Sequence, residues 1–224
     1  VNRVLREPMG RDQVRGVFTG LRALALEPGR SPSENTREYR FHREPGVTNF
    51  VSVCGGKLTT ARALAEKLLN ELNVRGLSSR GLPLPGGRIQ GPWEAFVAVA
   101  SEEAIEDFRV PRDVAERVAR TYGSCWREVL EPILERPALA ELLPGTPALL
   151  AAEVDFAIRH EMALTAEDFL LRRSGRNWLA AYTWHEAAPA ITEIFGQAFG
   201  WSAEQRGGAL EALRHATALP PQSR

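Results

Sequence analysis

Along this chain the spacing of apolar residues changes once, from short runs to a helical repeat. Val14–Thr19, Arg37–Arg43 and Val47–Cys54 are short and rich in Val, Phe and Tyr. They are separated by Glu27–Asn35, which contains Glu-Pro-Gly-Arg-Ser-Pro-Ser, and by Glu44-Pro45-Gly46. Apolar runs bounded by such turn residues predict strands joined by loops. The period then shifts: Leu58, Ala61, Leu64, Ala65, Leu68 and Leu72 recur three or four residues apart and predict an amphipathic helix over Leu58–Leu72.

Residues 76–92 are rich in Gly and Pro and read as a linker or extended crossing. From Trp93 the strand pattern is gone. Helical runs follow over Trp93–Phe108, Arg112–Tyr122, Ser124–Leu134, Pro147–Ala163, Ala166–Arg173, His185–Phe199 and Ala203–Ala216. Thr165 lies three residues before Asp168, and Ser202 three before Gln205, the spacing of a capping box. The expected fold class is α+β. Residues 1–75 form a segment of few strands plus a helix, 76–92 a linker, and 93–219 an all-helical domain.

Charge changes this picture. The 28 basic and 28 acidic residues cancel, which argues against a general nucleic-acid or polybasic membrane binder. Yet the chain up to Asn70 holds 12 basic and 7 acidic residues, and the remainder 16 and 21. A local anion site in the first third is compatible with that split. Only two of the basic residues are lysines, Lys57 and Lys67. Two cysteines, Cys54 and Cys125, make no CxxC pair. The longest charge-free stretches are shorter than the roughly 20 residues a spanning helix needs.

Most chemical motifs fail on inspection. His160-Glu161 would need a histidine at 164 for a zinc-protease helix, and Leu164 is there; no metal set is expected. Gly55-Gly56-Lys57 is not a phosphate-binding P-loop, since Val51 occupies the first glycine position and Leu58 follows the lysine. Neither Gly-x-Ser-x-Gly nor Gly-x-Gly-x-x-Gly occurs. What remains is the strand Phe50–Cys54 running through two glycines into a helix whose first turn carries Thr59 and Thr60. Glycines permit close backbone approach, a helix start presents unpaired N–H groups, and Lys57 adds a cation. An anion or an electron-rich ring edge suits that turn, and so does a plain strand-to-helix connection with a solvated lysine. Arg22 and Arg37 precede it in the chain, and arginine forks bind phosphate.

These residues resemble a known family, the flavin-dependent glycerol-3-phosphate dehydrogenases and alpha-glycerophosphate oxidases. The resemblance is carried by Gly20-Leu21-Arg22, Thr36-Arg37-Glu38-Tyr39, Ser52 to Thr60 with Arg62 and Leu64-Ala65-Glu66, and Leu84-Pro85-Gly86-Gly87. In the helical part it is carried by Tyr122-Gly123-Ser124, Ala152-Glu153-Val154, His160-Glu161-Met162 and Asp168 to Arg173. It implies the end of an FAD-binding and substrate-binding domain followed by an all-α cap. Gly55, Gly56, Lys57, Leu58 and Thr59 would meet the pyrimidine side of the flavin. A helix start and a lysine there favour the negative charge of reduction. Arg22, Arg37 and Lys57 would bind the substrate glycerol 3-phosphate. The implied reaction yields dihydroxyacetone phosphate and passes electrons to quinone, or to oxygen in the oxidases.

The resemblance is compatible with a homodimer and implies a cytoplasmic protein held peripherally on the inner face of the membrane. The alternative for the helical part is a non-catalytic interaction module for dimer or membrane contact, in which Trp178, Tyr182, Trp184, Phe195, Phe199 and Trp201 either form an exposed apolar surface or pack in the core. Two departures stand out. Ala23 follows Gly-Leu-Arg where the family has proline, and the Gly-x-Gly-x-x-Gly cradle is absent, so this stretch alone is expected to hold little or no FAD and no catalytic base is assigned in it.

Overall fold

The computed structural model describes residues 4, 6–13, 20, 29, 31, 38–146, 149–175 and 184–217, the side chains of 11, 184, 185 and 217 excepted. The chain forms two compact units, Phe18–Leu82 and the combination of Val1–Val17 with Pro83–Arg224. The strand expected over Val14–Thr19, like Arg22 and Arg37, lies outside the described residues.

In the first unit, β1 (Arg40–His42) pairs antiparallel with β2 (Ser52–Cys54), placing Arg40 opposite Cys54 and Phe41 opposite Val53. Both strands are shorter than the apolar runs that predict them. The chain turns at Pro45-Gly46, where Val47 N–H donates to the Glu44 carbonyl and Gly46 sits at φ +81°. After β2 comes a single 3-10 turn, Leu58–Thr60, and then α1 (Ala61–Glu71). Asn73 ends α1 in the left-handed conformation, and Val74 N–H returns to the Leu69 carbonyl at 2.8 Å. None of the described residues of this unit is buried, and Phe50 and Leu58 are 56% and 93% exposed. A two-stranded ribbon beside one helix is marginal by itself.

The second unit has one continuous core. Its helices are α2 (Trp93–Phe108), α3 (Arg112–Tyr122), α4 (Trp126–Leu130), α5 (Pro132–Glu135), α6 (Ala151–His160), α7 (Trp184–Phe199) and α8 (Ala203–Thr217). Val114, Val118, Leu130, Leu150, Val154, Phe169, Ile191, Phe195 and Leu213 are buried together. The helix expected over Ser124–Leu134 is broken into a 3-10 turn at Gly123–Cys125, α4 and α5, because Pro132 opens α5 without an N–H to continue the ladder. That expected over Pro147–Ala163 starts only at Ala151. Leu150 is extended and bridges Leu142, which holds it out of the helix.

Both expected capping boxes form. Thr165 N–H donates to Asp168 Oδ2 and Asp168 N–H to Thr165 Oγ1; Ser202 N–H donates to Gln205 Oε1 and Gln205 N–H to Ser202 Oγ. Behind the first box, Asp168–Arg173 winds as a π-helix, with Ser174 N–H reaching the Phe169 carbonyl five residues back. At the end of α7, Gly200 at φ +65° lets Trp201 N–H bond the Gly196 carbonyl at 2.9 Å, while the Trp201 ring stacks on Phe195. This is a Schellman ending with its apolar contact, and it places two of the aromatics of this region in internal packing. Trp178, Tyr182 and the Trp184 side chain lie outside the described residues. No helix among the described residues is long and apolar enough to cross a membrane.

Candidate functional site

The Gly55-Gly56 turn leaves β2 with both residues in left-handed territory, at φ +76° and +94°. A β-carbon at Gly55 would stand 2.8 Å from the Glu38 carbonyl oxygen, which no side chain tolerates. At Gly56 it would be 3.5 Å from Tyr39 Cβ and 3.4 Å from a Leu64 methyl. The glycines therefore serve close approach within the chain: they let β2 turn across the residues that lead into β1, and so fix where the following backbone points.

Lys57, Leu58 and Thr59 follow on the surface. The Lys57 ammonium is half exposed and lies 4.0 Å from the Glu38 carboxylate. The Lys57 carbonyl accepts both the N–H and the hydroxyl of Thr60, each at 3.0 Å. No side chain caps this turn. The N–H groups of Leu58 and Thr59, ahead of the first intrahelical bond, are thus offered outward beside an exposed cation. Lys67, which sequence marks only as a helix residue, lies over the Tyr39 ring at 5.3 Å from its centroid. The Tyr39 hydroxyl, as hydrogen-bond partner, holds the Lys67 ammonium above its ordinary pKa. Tyr39 in turn packs on Phe41, ring centroids 5.2 Å apart.

A second assembly lies inside the helical unit and collects motifs that are scattered in sequence. Glu153 is fully buried in α6. Its carboxylate accepts two bonds from the Arg117 guanidinium, one at 2.8 Å, one from the Tyr122 hydroxyl at 3.1 Å and one from Leu150 N–H at 2.8 Å. Burial, reinforced by the Glu153 charge, pushes the Tyr122 phenol well above its ordinary pKa. Next to Tyr122, Gly123 meets Gly86 backbone to backbone, and Ser124 N–H donates to the Gly86 carbonyl at 2.9 Å. Glu161, half-buried, is raised above the usual carboxylate range by burial, against the opposing pull of Arg173, whose Nε donates to the Glu161 carbonyl at 2.7 Å. Every carboxylate oxygen of Glu153 is occupied, so this assembly holds structure together. Sequence could have flagged Glu153 as a charge within the apolar run Leu149–Val154, but nothing in the spacing of α3 marks Arg117 as its partner.

A cleft of about 470 Å³ is lined by Arg136, Leu139, Leu142, Asp155, Ile194 and Gln197, among others. Its buried carboxylate, Asp155, is held by Arg136 at 2.8 and 2.9 Å and by Arg159. Among the described residues no group of three or more His, Cys, Asp or Glu is placed to hold a metal ion.

Fold and site together define an all-helical domain preceded by a ribbon-and-helix segment with an exposed Gly-Gly-Lys turn. A family model described as the C-terminal domain of alpha-glycerophosphate oxidase matches residues 77–206, more than half the chain. The chain belongs to that family. It is 35% identical over 182 residues to a glycerol-3-phosphate dehydrogenase of Pseudomonas aeruginosa, covering 78% of this chain and 34% of the relative. It is 32% identical over 181 residues to D-erythritol 1-phosphate dehydrogenase of Brucella abortus, covering 78% and 35%. The crystal structure of the glycerol-3-phosphate dehydrogenase from Bacillus halodurans complexed with FAD superposes with a TM-score of 0.64 at 28% identity, over 74% of this chain and 34% of that one. The chain thus spans about a third of the length of these relatives.

Proposed function

We propose that this chain is the C-terminal part of a flavin-dependent sn-glycerol-3-phosphate dehydrogenase, in which residues 1–75 complete the FAD-binding and substrate-binding domain and 93–219 form a helical cap joined through 76–92. The observation that carries this reading is the likeness, in both sequence and fold, to a glycerol-3-phosphate dehydrogenase complexed with FAD.

The residues present fit a flavin edge. The Gly55-Gly56 turn, packed on its inner side toward Glu38 and Tyr39, delivers the following backbone to the surface, where Leu58 is an exposed apolar side chain and the Leu58 and Thr59 N–H groups with the Lys57 ammonium supply positive potential. When bound, FAD takes up the hydride removed from the substrate C2. Gly55, Gly56, Lys57, Leu58 and Thr59 would hold the ring where charge accumulates. Arg22, Arg37 and Lys57 would grip the substrate phosphate and orient its carbon chain. The phosphate grip suits any small polyol phosphate, and the erythritol-phosphate relative makes chain length the point of selection.

The test uses the intact polypeptide. Arg22→Ala and Arg37→Ala are each expected to lower kcat/KM for glycerol 3-phosphate by about tenfold to a thousandfold; wild-type values in both remove the assignment. D-Erythritol 1-phosphate assayed in parallel shows which substrate the site prefers. Quinone is the proposed acceptor, and hydrogen peroxide formed in stoichiometric amount would assign oxygen instead. Homodimerisation and peripheral membrane attachment belong to the same proposal, checked by sedimentation with and without vesicles.

A further inference from the structure

The geometry points to Lys67 and Tyr39 as a positioning clamp that immobilises the Gly55-Gly56 turn and thereby sets the direction of Lys57 and the Leu58 and Thr59 N–H groups. Two adjacent glycines are the most pliable backbone a chain can place at a site. Left to themselves they would sample many directions, and a positive potential that wanders is of little use to a ligand. The structure removes that freedom from one side only. The Glu38 carbonyl fills the place a Gly55 β-carbon would take, and Tyr39 Cβ and a Leu64 methyl border the place of a Gly56 β-carbon.

Tyr39 is itself the movable member, because it lies in the exposed approach to β1 with Phe41 on one side of its ring. The Lys67 ammonium lies over the same ring, 5.3 Å from its centroid. This lysine stands three residues beyond Leu64 on α1, so one face of that helix borders the turn through Leu64 and reaches Tyr39 through Lys67. The order α1, Tyr39, Gly56, Lys57 links the helix that follows the turn to the entry of β1, beside the turn. A cation over a ring face is held by the ring quadrupole, so the clamp needs a cation there, whichever kind.

This inference rests on the flavin reading only for what the turn is positioned toward, and the experiment separates the two. Lys57 and Lys67 are the only lysines of the chain, so a lysine-specific protease cuts this stretch at those two bonds alone, and in position-67 variants only after Lys57. In the intact polypeptide, with the Lys57–Leu58 cut identified by fragment mass, Lys67→Met is expected to accelerate that cleavage by about two- to fivefold, since cleavage follows the population of the opened turn. Lys67→Arg, which keeps a cation over the ring, is expected to cleave no faster than wild type. Tyr39→Leu should accelerate cleavage as Lys67→Met does, and the double variant should add nothing further. Lys67 is exposed, so its replacement leaves no buried group unpaired. Equal cleavage rates in Lys67→Met, Lys67→Arg and wild type overturn the clamp. The midpoint potential of the bound flavin is read in the same variants: a shift in Lys67→Met that Lys67→Arg restores supports both clamp and flavin reading. Faster cleavage with an unmoved potential leaves the clamp standing and removes the flavin from the turn.

Discussion

Gly86 and Gly123 touch through their backbones with no room for a side chain on either. A β-carbon on Gly123 would fall on the Gly86 carbonyl, and one on Gly86 would fall on the Tyr122 carbonyl. The stretch expected to be a linker or extended crossing is, at Gly86, locked to the end of α3 by the Ser124 N–H, and Arg88 N–H adds a bond to Ser124 Oγ at 3.3 Å. Leu84–Gly87 and Tyr122–Ser124, two motifs distant in sequence, are the two halves of this one contact.

Gly123→Ala is therefore expected to destabilise the helical unit by about 2 kcal/mol or more, because alanine must adopt φ +52° and also collides with rigid backbone. Gly196→Ala makes the contrast. There the obstacle is the Arg206 side chain crossing α7, which can shift, and the added methyl favours the helix, so the net cost should stay under about 1 kcal/mol. Urea denaturation of the two variants side by side checks the ranking; equal losses would mean that the Gly86–Gly123 contact is not rigid.

Glu153→Gln is expected to cost about 3–5 kcal/mol, because it leaves the Arg117 guanidinium, itself largely covered, facing a neutral amide in the core. Tyr122→Phe removes one hydrogen bond from a carboxylate that keeps its others, and should cost about 1 kcal/mol. Denaturant midpoints at pH 7 distinguish these magnitudes. A Tyr122→Phe loss as large as that of Glu153→Gln would place the weight of the network on the phenol.

Glu161 gives a pH dependence of definite sign. Burial, the largest influence, raises its carboxyl in the folded chain, with Arg173 opposing and Glu153 adding to it. A group raised by folding stabilises the fold fully below its unfolded pKa, and that contribution is lost as pH rises through the folded value. Glu161→Gln, which stays neutral, should accordingly match wild type below about pH 4 and exceed it at pH 7. The gain should be a few tenths to about 1 kcal/mol, since the group is half-exposed and screened by solvent. Thermal melts across pH 4–8 read it directly, and a variant less stable than wild type at pH 7 would show that the Arg173 interaction outweighs burial.

Much of the helical unit could be read in advance. Trp93–Phe108 and Arg112–Tyr122 form over the very residues their periodicity marks, each entered through a proline, Pro92 and Pro111. The two capping boxes form as spaced. Reading failed where a non-local partner competes with a local preference. Leu150 is drawn into a bridge with Leu142, and the Gly55-Gly56 pair, whose spacing suggests room for a ligand, turns out to make room for Glu38 and Tyr39.

The sequence by itself determined the order of elements, the helical character beyond Trp93, the excess of positive charge before Asn70 and the family resemblance, because periodicity, caps and motifs act between residues a few positions apart. Only the tertiary structure decided which distant residues meet: Arg117 and Tyr122 on Glu153, Gly86 on Gly123, Lys67 on Tyr39. Those pairings depend on how elements pack across the core or fold back on one another, and no local spacing encodes that. Lys67 shows the difference most plainly: in the linear chain it is one more polar position on an amphipathic helix, and in the folded chain it lies against the ring that holds the glycine turn.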